Sequence, residues 1–353
     1  MRGKYPSRRR FIQATAGAGV IGLAGCTGGE SDEDTTEDGG AAETVDMRIG
    51  SSTSGSTVFQ TSQAFQRVLR QESDRVRWNT QTTGGDPASI RQYGEGSLEG
   101  YGLTNYIVRK AMAGADPFEQ TYEVPYQGFS YFARDDFFVA LDGTGIETTD
   151  DMLGKNVYLL QPGWGTRAMF MEVMDEDPEL KEQLTENVVN IDTADVAGAV
   201  QEGRIDAILA YGANEVNLPS WFAEVDATTD LHTVEVSESF RNVFESSPLV
   251  PYYSKDAYGF TQDVGGPIQG YQILFQYYIS PDVPADAVYE MLQTAHDHYE
   301  AVQEGQPAFF PYGENPEYFT VSLEGGDLPP VHPGAADFYE DVGVWRDDLE
   351  RGE

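Results

Sequence analysis

The chain has 353 residues, a formal net charge of −37 at pH 7, 40% hydrophobic residues and 12% aromatic residues. This apolar content is ample for a packed core and excludes disorder along the whole length. The acidic excess excludes nucleic acid as a partner, because phosphate binding requires clustered Lys and Arg. Such a charge repels itself in dilute salt. At molar ionic strength the Debye length falls to about 3 Å, so the composition favours a halophilic, acidic protein.

The first residues have the pattern of an export signal. Arg8, Arg9 and Arg10 precede an uncharged run over residues 11–24, which is too short for the roughly 20 helical residues that cross a membrane. Consecutive arginines ahead of such a run are typical of a Tat signal, the route for proteins exported in the folded state. The run ends in LAGC, which resembles a lipobox. Residues 1–26 are therefore predicted to be a Tat-type signal peptide with a lipobox.

Cys26 is the only cysteine in the chain. A free cysteine is often a small buried hydrophobic residue, but Cys26 lies between the signal and a polar segment that offers it no core. We therefore predict that Cys26 is lipidated and anchors an extracytoplasmic protein to the outer face of the cell membrane. A single cysteine also excludes an intrachain disulfide and a zinc–thiolate cluster.

A short acidic segment follows the signal. Residues 27–43 read TGGESDEDTTEDGGAAE and contain acids and glycines but no basic residue. This composition predicts an acidic disordered linker. The folded part is then residues 44–353, which is the size of one large or two medium domains.

The folded part begins with short apolar runs that alternate with helical patterns, as is typical of βαβ units. The strands of this first series are predicted at residues 45–50, 76–80 and 102–103. Three helices are predicted in this series. The first contains Phe59 and Leu69, the second begins at Pro87, and the third contains Tyr106 and Met112.

A second series of strands and helices follows. Extended segments are predicted at residues 129–133 and 137–141, and further strands at 156–160, 188–191, 205–211 and 231–236. Helices are predicted over 166–175, after Thr193 and after Ser237. A last strand at 271–279 and a helix at 285–301 complete the chain.

The order of these elements indicates that the chain leaves the first series, completes the second and returns. This wiring predicts an α/β fold of two lobes joined by a hinge, with a ligand crevice between them. Lobe 1 is predicted at 44–135 and 265–353, and lobe 2 at 136–264. In open α/β sheets, ligands bind beyond the carboxyl ends of the strands, at helix N-termini.

Three loops at predicted strand-to-helix junctions share hydroxyl groups and glycines. Their candidate ligand-binding residues are Ser52, Thr53, Ser54, Ser56, Thr57, Thr83, Gly84, Gly85, Trp164, Gly165 and Thr166. Backbone N–H groups at a helix start, together with hydroxyl donors, suit a carboxylate or another anion. One such loop alone would be read as an ordinary N-cap or turn, but three in comparable positions favour a binding site.

Four larger side chains are further candidates, each with an open alternative. Arg167 could pair with a ligand carboxylate or form a surface ion pair with one of the many acids. Trp164 could stack on the ligand or fill a gap between lobes. Tyr126 and Tyr211 lie at predicted strand ends, where a binding role and core packing are both open.

Five stretches, spread over the chain in order, resemble the TAXI group of solute-binding proteins of TRAP (tripartite ATP-independent periplasmic) transporters. They are residues 49–59, 82–91, 163–167, 202–215 and 328–343, the last of which contains the HPGA sequence at His332. The resemblance implies a type II periplasmic-binding-protein fold. It also implies delivery of a solute, often an organic anion or amino acid, to membrane subunits driven by an ion gradient.

This chain departs from the family pattern at three positions. Ser56 replaces a usual second glycine, Trp164 stands where a serine is usual, and Tyr101 replaces an acid after the second helix. These changes concern the ligand rather than the fold. Trp164 suggests a bulkier or partly aromatic solute.

No pattern for catalysis is found in the sequence. It has four histidines but no His-Glu-x-x-His helix, Gly-x-Ser-x-Gly elbow or Walker loop. We therefore predict a protein that is not an enzyme and needs no cofactor or metal. The predicted function is capture of a small solute, such as an organic acid or amino acid, for TRAP membrane subunits. The alternatives are a ligand sensor for a signalling receptor, a binding protein of another transporter class, and, remotely, an extracellular enzyme.

Overall fold

The computed structural model describes residues 44–247 and 252–353. The predicted signal, the acidic linker and Cys26 lie outside the described residues. Within the described ranges, no helix combines the length and apolar character that a membrane span requires.

The described residues form a mixed α/β fold, as the sequence predicts. The strands are β1 Val45–Gly50, β2 Val76–Gln81, β3 Gly100–Leu103, β4 Tyr126–Leu141, β5 Val157–Tyr158, β6 Ala207–Ala213, β7 Leu231–Thr233, β8 Tyr252–Lys255 and β9 Ile268–Ile279. The α-helices are α1 Thr57–Glu72, α2 Asp86–Gly94, α3 Asn105–Ala113, α4 Gly165–Val173, α5 Pro178–Thr185, α6 Thr193–Gln201, α7 Ser220–Thr228, α8 Glu238–Ser246, α9 Ala285–Asp297, α10 Tyr299–Gln303 and α11 Pro333–Asp341. Short 3-10 helices occupy Thr149–Met152, Met174–Glu176 and Pro316–Phe319.

The strands form one sheet in the order β2-β1-β3-β9-β4-β6-β5, with β7 beside β4 and β8 beside β9. The first βα group consists of the parallel strands β1, β2 and β3 with α1 to α3, and α9 and α10 pack against it. The second βα group consists of the parallel strands β5 and β6 with the helices from α4 to α8. This arrangement confirms the predicted α/β fold with two groups of elements.

The two groups share the long antiparallel pair β4–β9. One end of β9 pairs with β3, and the far half of β4, residues 134–140, pairs with β6. The pairing of β4 with β9 has irregular register between Gln127 and Phe129 and between Ser130 and Phe132. Such irregularities bend and twist a strand, so the sheet changes direction where it passes from one group to the other.

The core continues across this strand pair. The rings of Phe132 on β4 and Phe275 on β9 stack at 4.5 Å between centroids, and those of Tyr131 and Tyr277 stack at 4.0 Å. Aromatic pairs of this kind contribute about 0.5–1.5 kcal/mol beyond their buried area. The many aromatic residues therefore stabilise the connection between the two groups.

Several predicted elements differ in the structure. The extended segments at 129–133 and 137–141 are one continuous strand, β4, because the charged residues between them find buried partners. The strand predicted at 188–191 is wrong: only a single bridge joins Val188 to Val157, and the chain turns towards the start of α6. The strand predicted at 231–236 ends at Thr233. The helix predicted at 285–301 is interrupted at His298, whose φ of −124° and ψ of 23° are not helical.

The HPGA sequence forms the start of α11. The Nδ1 atom of His332 accepts a hydrogen bond from the Gly334 N–H at 3.2 Å, and its Nε2 atom lies 3.1 Å from the Val283 carbonyl oxygen. Burial lowers the pKa of His332 to about 4, so the ring is neutral and can accept this bond at neutral pH. A Cβ at Gly334 would lie 1.8 Å from the Ala285 carbonyl oxygen at the start of α9. The histidine and the glycine are thus structural.

Gly334→Ala should destabilise the protein strongly, because the added methyl group overlaps the α9 backbone. We expect the free energy of unfolding to fall by about 3 kcal/mol or more. Gly198→Ala is the matched control, since Gly198 is also helical and a Cβ there would meet nothing within 4 Å. That variant should gain about 0.5–1 kcal/mol. Urea unfolding in molar KCl measures both, and equal effects would contradict the packing described here.

Candidate functional site

Three helices begin at the predicted hydroxyl- and glycine-bearing loops. Ser56 is the N-cap of α1, and its Oγ accepts a hydrogen bond from the Phe59 N–H at 3.3 Å. Gly85 precedes α2 and Trp164 precedes α4. The free N–H groups at each helix start carry partial positive charge, so each start can attract an anion.

The structure brings these three loops together. The Thr83 N–H donates to the Ser52 carbonyl oxygen at 3.0 Å. Gly85 has a φ of 138°, and a Cβ there would lie 2.7 Å from the Gly163 carbonyl oxygen. Only glycine combines this backbone angle with so close an approach. The loops of the first βα group therefore touch the loop before α4 in the second.

A buried ion pair lies beside these loops. Arg134 on β4 is 3% exposed. It donates two hydrogen bonds to Asp136, from Nε to Oδ2 at 2.9 Å and from Nη2 to Oδ1 at 2.5 Å. The two residues are two positions apart on a strand, so their side chains share one face. The Arg134 Nη1 also donates to the Thr166 Oγ1 at 3.1 Å, and the guanidinium lies 3.9 Å from the centre of the Tyr211 ring.

Asp86, the first residue of α2, is a second buried carboxylate. It is 4% exposed, and its Oδ2 accepts a hydrogen bond from the Gly165 N–H at 3.2 Å. Burial raises the pKa of Asp86 to about 6, although the charge of Arg134 partly offsets this rise. Burial also raises the pKa of Asp136 to about 6, although Arg134 partly offsets this rise as well.

These groups surround a small cavity of about 20 Å³. A cavity needs roughly 10–15 Å³ to hold one water molecule, so this cavity has no room for a larger solute. The Nε1 of Trp164 is buried and has no hydrogen-bond partner among the described residues. The cavity is lined by Ser52, Ser56, Thr57, Val58, Asp86, Phe132, Arg134, Trp164, Thr166, Tyr211 and Phe275.

The predicted site residues fall into three sets. Those that line the cavity are Ser52, Ser56, Thr57, Trp164, Thr166 and Tyr211. Those that belong to the same loops without lining it are Thr53, Ser54, Thr83, Gly84, Gly85 and Gly165. Two others lie elsewhere. The guanidinium of Arg167 donates to the Leu160 carbonyl oxygen and to Asn190, and the Tyr126 ring packs against His332 and Gly352.

The prediction missed the two most polar residues of the cavity wall, Arg134 and Asp86. The signal for Arg134 was the sequence Arg-Asp-Asp between two apolar runs, a charge cluster inside what is a single buried strand. The predicted helix start at Pro87 leaves Asp86 one position outside the helix. The available signal was its position directly before Pro87, next to a helix start that faces the crevice.

A larger open groove of about 490 Å³ lies between α3, α4 and β9. Its charged groups already pair with each other: Arg109 with Glu324, and Lys110 with Glu172. One wall residue, Thr104, has a buried Oγ1 without a hydrogen-bond partner among the described residues. None of the predicted site residues lines this groove, whereas six of them line the small cavity. The small cavity is therefore the better candidate for the binding site.

The sequence profile of the NMT1-like family matches residues 49–343, a range that includes the whole cavity wall. The chain therefore belongs to the NMT1-like family. A comparison with curated protein sequences finds no match.

The fold can also be compared with solved structures of binding proteins. The chain is similar to the alkanesulfonate-binding protein SsuA from Xanthomonas axonopodis pv. citri bound to MOPS, with 12% identity and a TM-score of 0.41 over 88% of this chain and 100% of that chain. It is similar to the periplasmic aliphatic sulphonate binding protein SsuA from Escherichia coli, with 12% identity and a TM-score of 0.42 over 88% and 96%. An ancestral arginine-binding protein bound to arginine gives 11% identity and a TM-score of 0.41 over 75% and 98%.

Asp86→Asn should stabilise the ligand-free protein at alkaline pH. The folded protein binds the Asp86 proton more tightly than the unfolded chain does, since the pKa is about 6 against an ordinary 3.8. The ionised carboxylate therefore lowers stability above pH 6, and this loss fades as the pH falls towards 4. Asparagine has no charge and keeps an oxygen for the Gly165 N–H. We expect a gain of up to about 3 kcal/mol at pH 8 and a smaller gain at pH 5.

Thermal unfolding at both pH values in molar KCl measures this difference. Asp256→Asn is the control, because Asp256 is exposed and its replacement should change stability little and equally at pH 5 and pH 8. A destabilised Asp86→Asn variant at pH 8 would show that the carboxylate has a cationic partner in the folded protein.

Proposed function

We propose that this chain is an extracytoplasmic solute-binding lipoprotein of the TAXI type. It captures a small carboxylate-bearing solute, such as an organic acid or an amino acid, and delivers it to the membrane subunits of a TRAP transporter. The observation that carries the proposal is the convergence of three helix N-termini on one buried cavity between two βα groups. Membership of the NMT1-like family is compatible with this role.

The mechanism proposed is opening and closing about the β4–β9 pair. The lobes would be residues 44–135 with 265–353, and residues 136–264, since β4 and β9 pass between the two groups near these boundaries. In the open form the loops before α1, α2 and α4 separate and admit the solute. The solute carboxylate then accepts hydrogen bonds from the N–H groups at the helix starts, and Trp164 covers the solute. A ligand that binds the closed form more tightly shifts the population towards closure.

The N-terminal segment fits the same role. A lipid on Cys26 and an acidic linker over residues 27–43 would hold the folded part close to the membrane and leave it free to meet the membrane subunits. The large negative charge would be screened in a saline exterior, so we also propose that the protein works at high ionic strength.

A solute that binds the crevice should raise the unfolding temperature of the folded part, residues 44–353. At a concentration 100 times its Kd, a ligand adds about 2.7 kcal/mol, which is a rise of several degrees for a protein of this size. The screen uses carboxylates and amino acids in molar KCl. If no member of the panel raises the unfolding temperature, the proposed function is contradicted.

The Trp164 indole should contribute to binding through its free N–H. Trp164→Phe keeps an aromatic ring but removes that donor, so we expect the affinity of the best ligand in the screen to fall about 3- to 10-fold, the effect of one lost hydrogen bond. Arg167→Ala is the control and should stay within about twofold, because Arg167 contacts Leu160 and Asn190 instead of the cavity. Isothermal titration measures both. A larger loss of affinity in Arg167→Ala than in Trp164→Phe would indicate that the ligand lies beside Arg167.

Cys26→Ser should release the exported protein from the cell surface into the medium, because the variant lacks the thiol that would carry the lipid. The wild-type protein should stay with the membrane fraction, and mass spectrometry should find a lipid on its first mature residue. Replacement of Arg8 and Arg9 by Lys is the control for the export route and should keep the protein inside the cell. A Cys26→Ser variant that remains membrane-bound would contradict the lipid anchor.

A further inference from the structure

The crevice contains one more buried negative charge than positive charge. Arg134 and Asp86 line the cavity, and Asp136 is the hydrogen-bonded partner of Arg134; all three side chains are buried. The Arg134 guanidinium makes three hydrogen-bond contacts of 2.5–3.1 Å with the Asp136 carboxylate. Asp86 is therefore the carboxylate without a direct ionic partner.

The surroundings of Asp86 are poor in hydrogen bonds. Among the described residues, its carboxylate accepts one bond, from the backbone N–H of Gly165, and no Lys, Arg or His side chain lies within salt-bridge distance. An ionised carboxylate can accept about four hydrogen bonds. A buried charge with so few partners is costly in a folded protein, so its presence on a cavity wall calls for a partner that the protein chain does not supply.

The rest of the wall suits an organic cation. The rings of Phe132, Trp164, Tyr211 and Phe275 line the same cavity as Asp86. Aromatic faces attract organic cations, most strongly when water is excluded. Arg134 already uses this property, since it lies over the Tyr211 ring.

We propose that the solute carries a protonated amine or another organic cation, and that Asp86 is the counter-ion for that group. This inference rests on the proposed solute-binding function and narrows the class of ligand. The carboxylate of such a solute would take the helix-start N–H groups, while its cationic group would lie against Asp86 and the aromatic wall. A simple carboxylic acid would instead add a third negative charge beside a single arginine.

The position of Asp86 also links recognition to closure. Asp86 belongs to the first βα group and Gly165 to the second, so their hydrogen bond exists only when the loops meet. A ligand cation that neutralises Asp86 removes the unfavourable charge from the closed form. The cationic group would therefore favour closure and bind most tightly to the closed form.

The experiment compares matched pairs of small molecules. Each amino acid in the panel is tested beside the carboxylate that lacks only its amino group, for example glutamate beside glutarate and leucine beside 4-methylpentanoate. Affinities for residues 44–353 are measured by isothermal titration in molar KCl. We expect the amine-bearing member of the best pair to bind at least tenfold more tightly than its deaminated partner.

Asp86→Asn then tests the residue. The variant should lose at least tenfold in affinity for the amine-bearing ligand, while its affinity for the deaminated partner should stay within about twofold or increase. Asp256→Asn should leave both affinities unchanged. Because Asp86→Asn is expected to be the more stable protein at pH 8, a loss of binding cannot be attributed to unfolding.

The outcomes separate the two proposals. Equal or tighter binding of the deaminated partner, or an equal loss for both partners in Asp86→Asn, would overturn the role of Asp86 and leave solute binding intact. If no member of either class binds the wild-type protein, the solute-binding function itself fails, and this inference fails with it.

Discussion

The pairing of β4 with β9 is the constraint on which the rest of the molecule depends. These two strands belong to both βα groups, and their stacked aromatic side chains carry the core from one group to the other. The same strand β4 places Arg134 on the cavity wall, where the helix starts of both groups meet, and Asp136 beside it as its ionic partner. One strand therefore connects the two groups and supplies the arginine of the cavity wall. A change in the twist of this pair would move the connection and the charges together.

The electrostatics of the crevice follow from burial. Arg134 is paired with Asp136, and both are desolvated, so their mutual attraction compensates for lost hydration and adds little net stability. Asp86 lacks such a partner, and burial raises its pKa to about 6. Salt screens the many acidic groups on the surface, but it screens a buried carboxylate such as that of Asp86 much less. The charge balance of the site is therefore independent of the charge on the surface.

The sequence predicted the parts of the site that depend on local chemistry. Hydroxyl residues and glycines before a helical pattern identify a helix start, and Ser56, Gly85 and Trp164 do precede helices. The sequence did not predict the parts that depend on distant pairing. Arg134 looked like a break between two strands because its partner Asp136 and the covering Tyr211 become neighbours only in the folded sheet. Arg167 looked more promising because it follows a glycine-rich loop, but Asn190 and the Leu160 carbonyl oxygen occupy its donors.

The small volume of the cavity has a kinetic consequence. If the chain binds a solute here as proposed, a cavity with room for about one water molecule cannot admit it directly, and association would require the loops to part first. The binding rate would then reach a ceiling at high solute concentration, set by the rate of opening. The rate of capture would be set by the motion of the loops and not by diffusion of the solute.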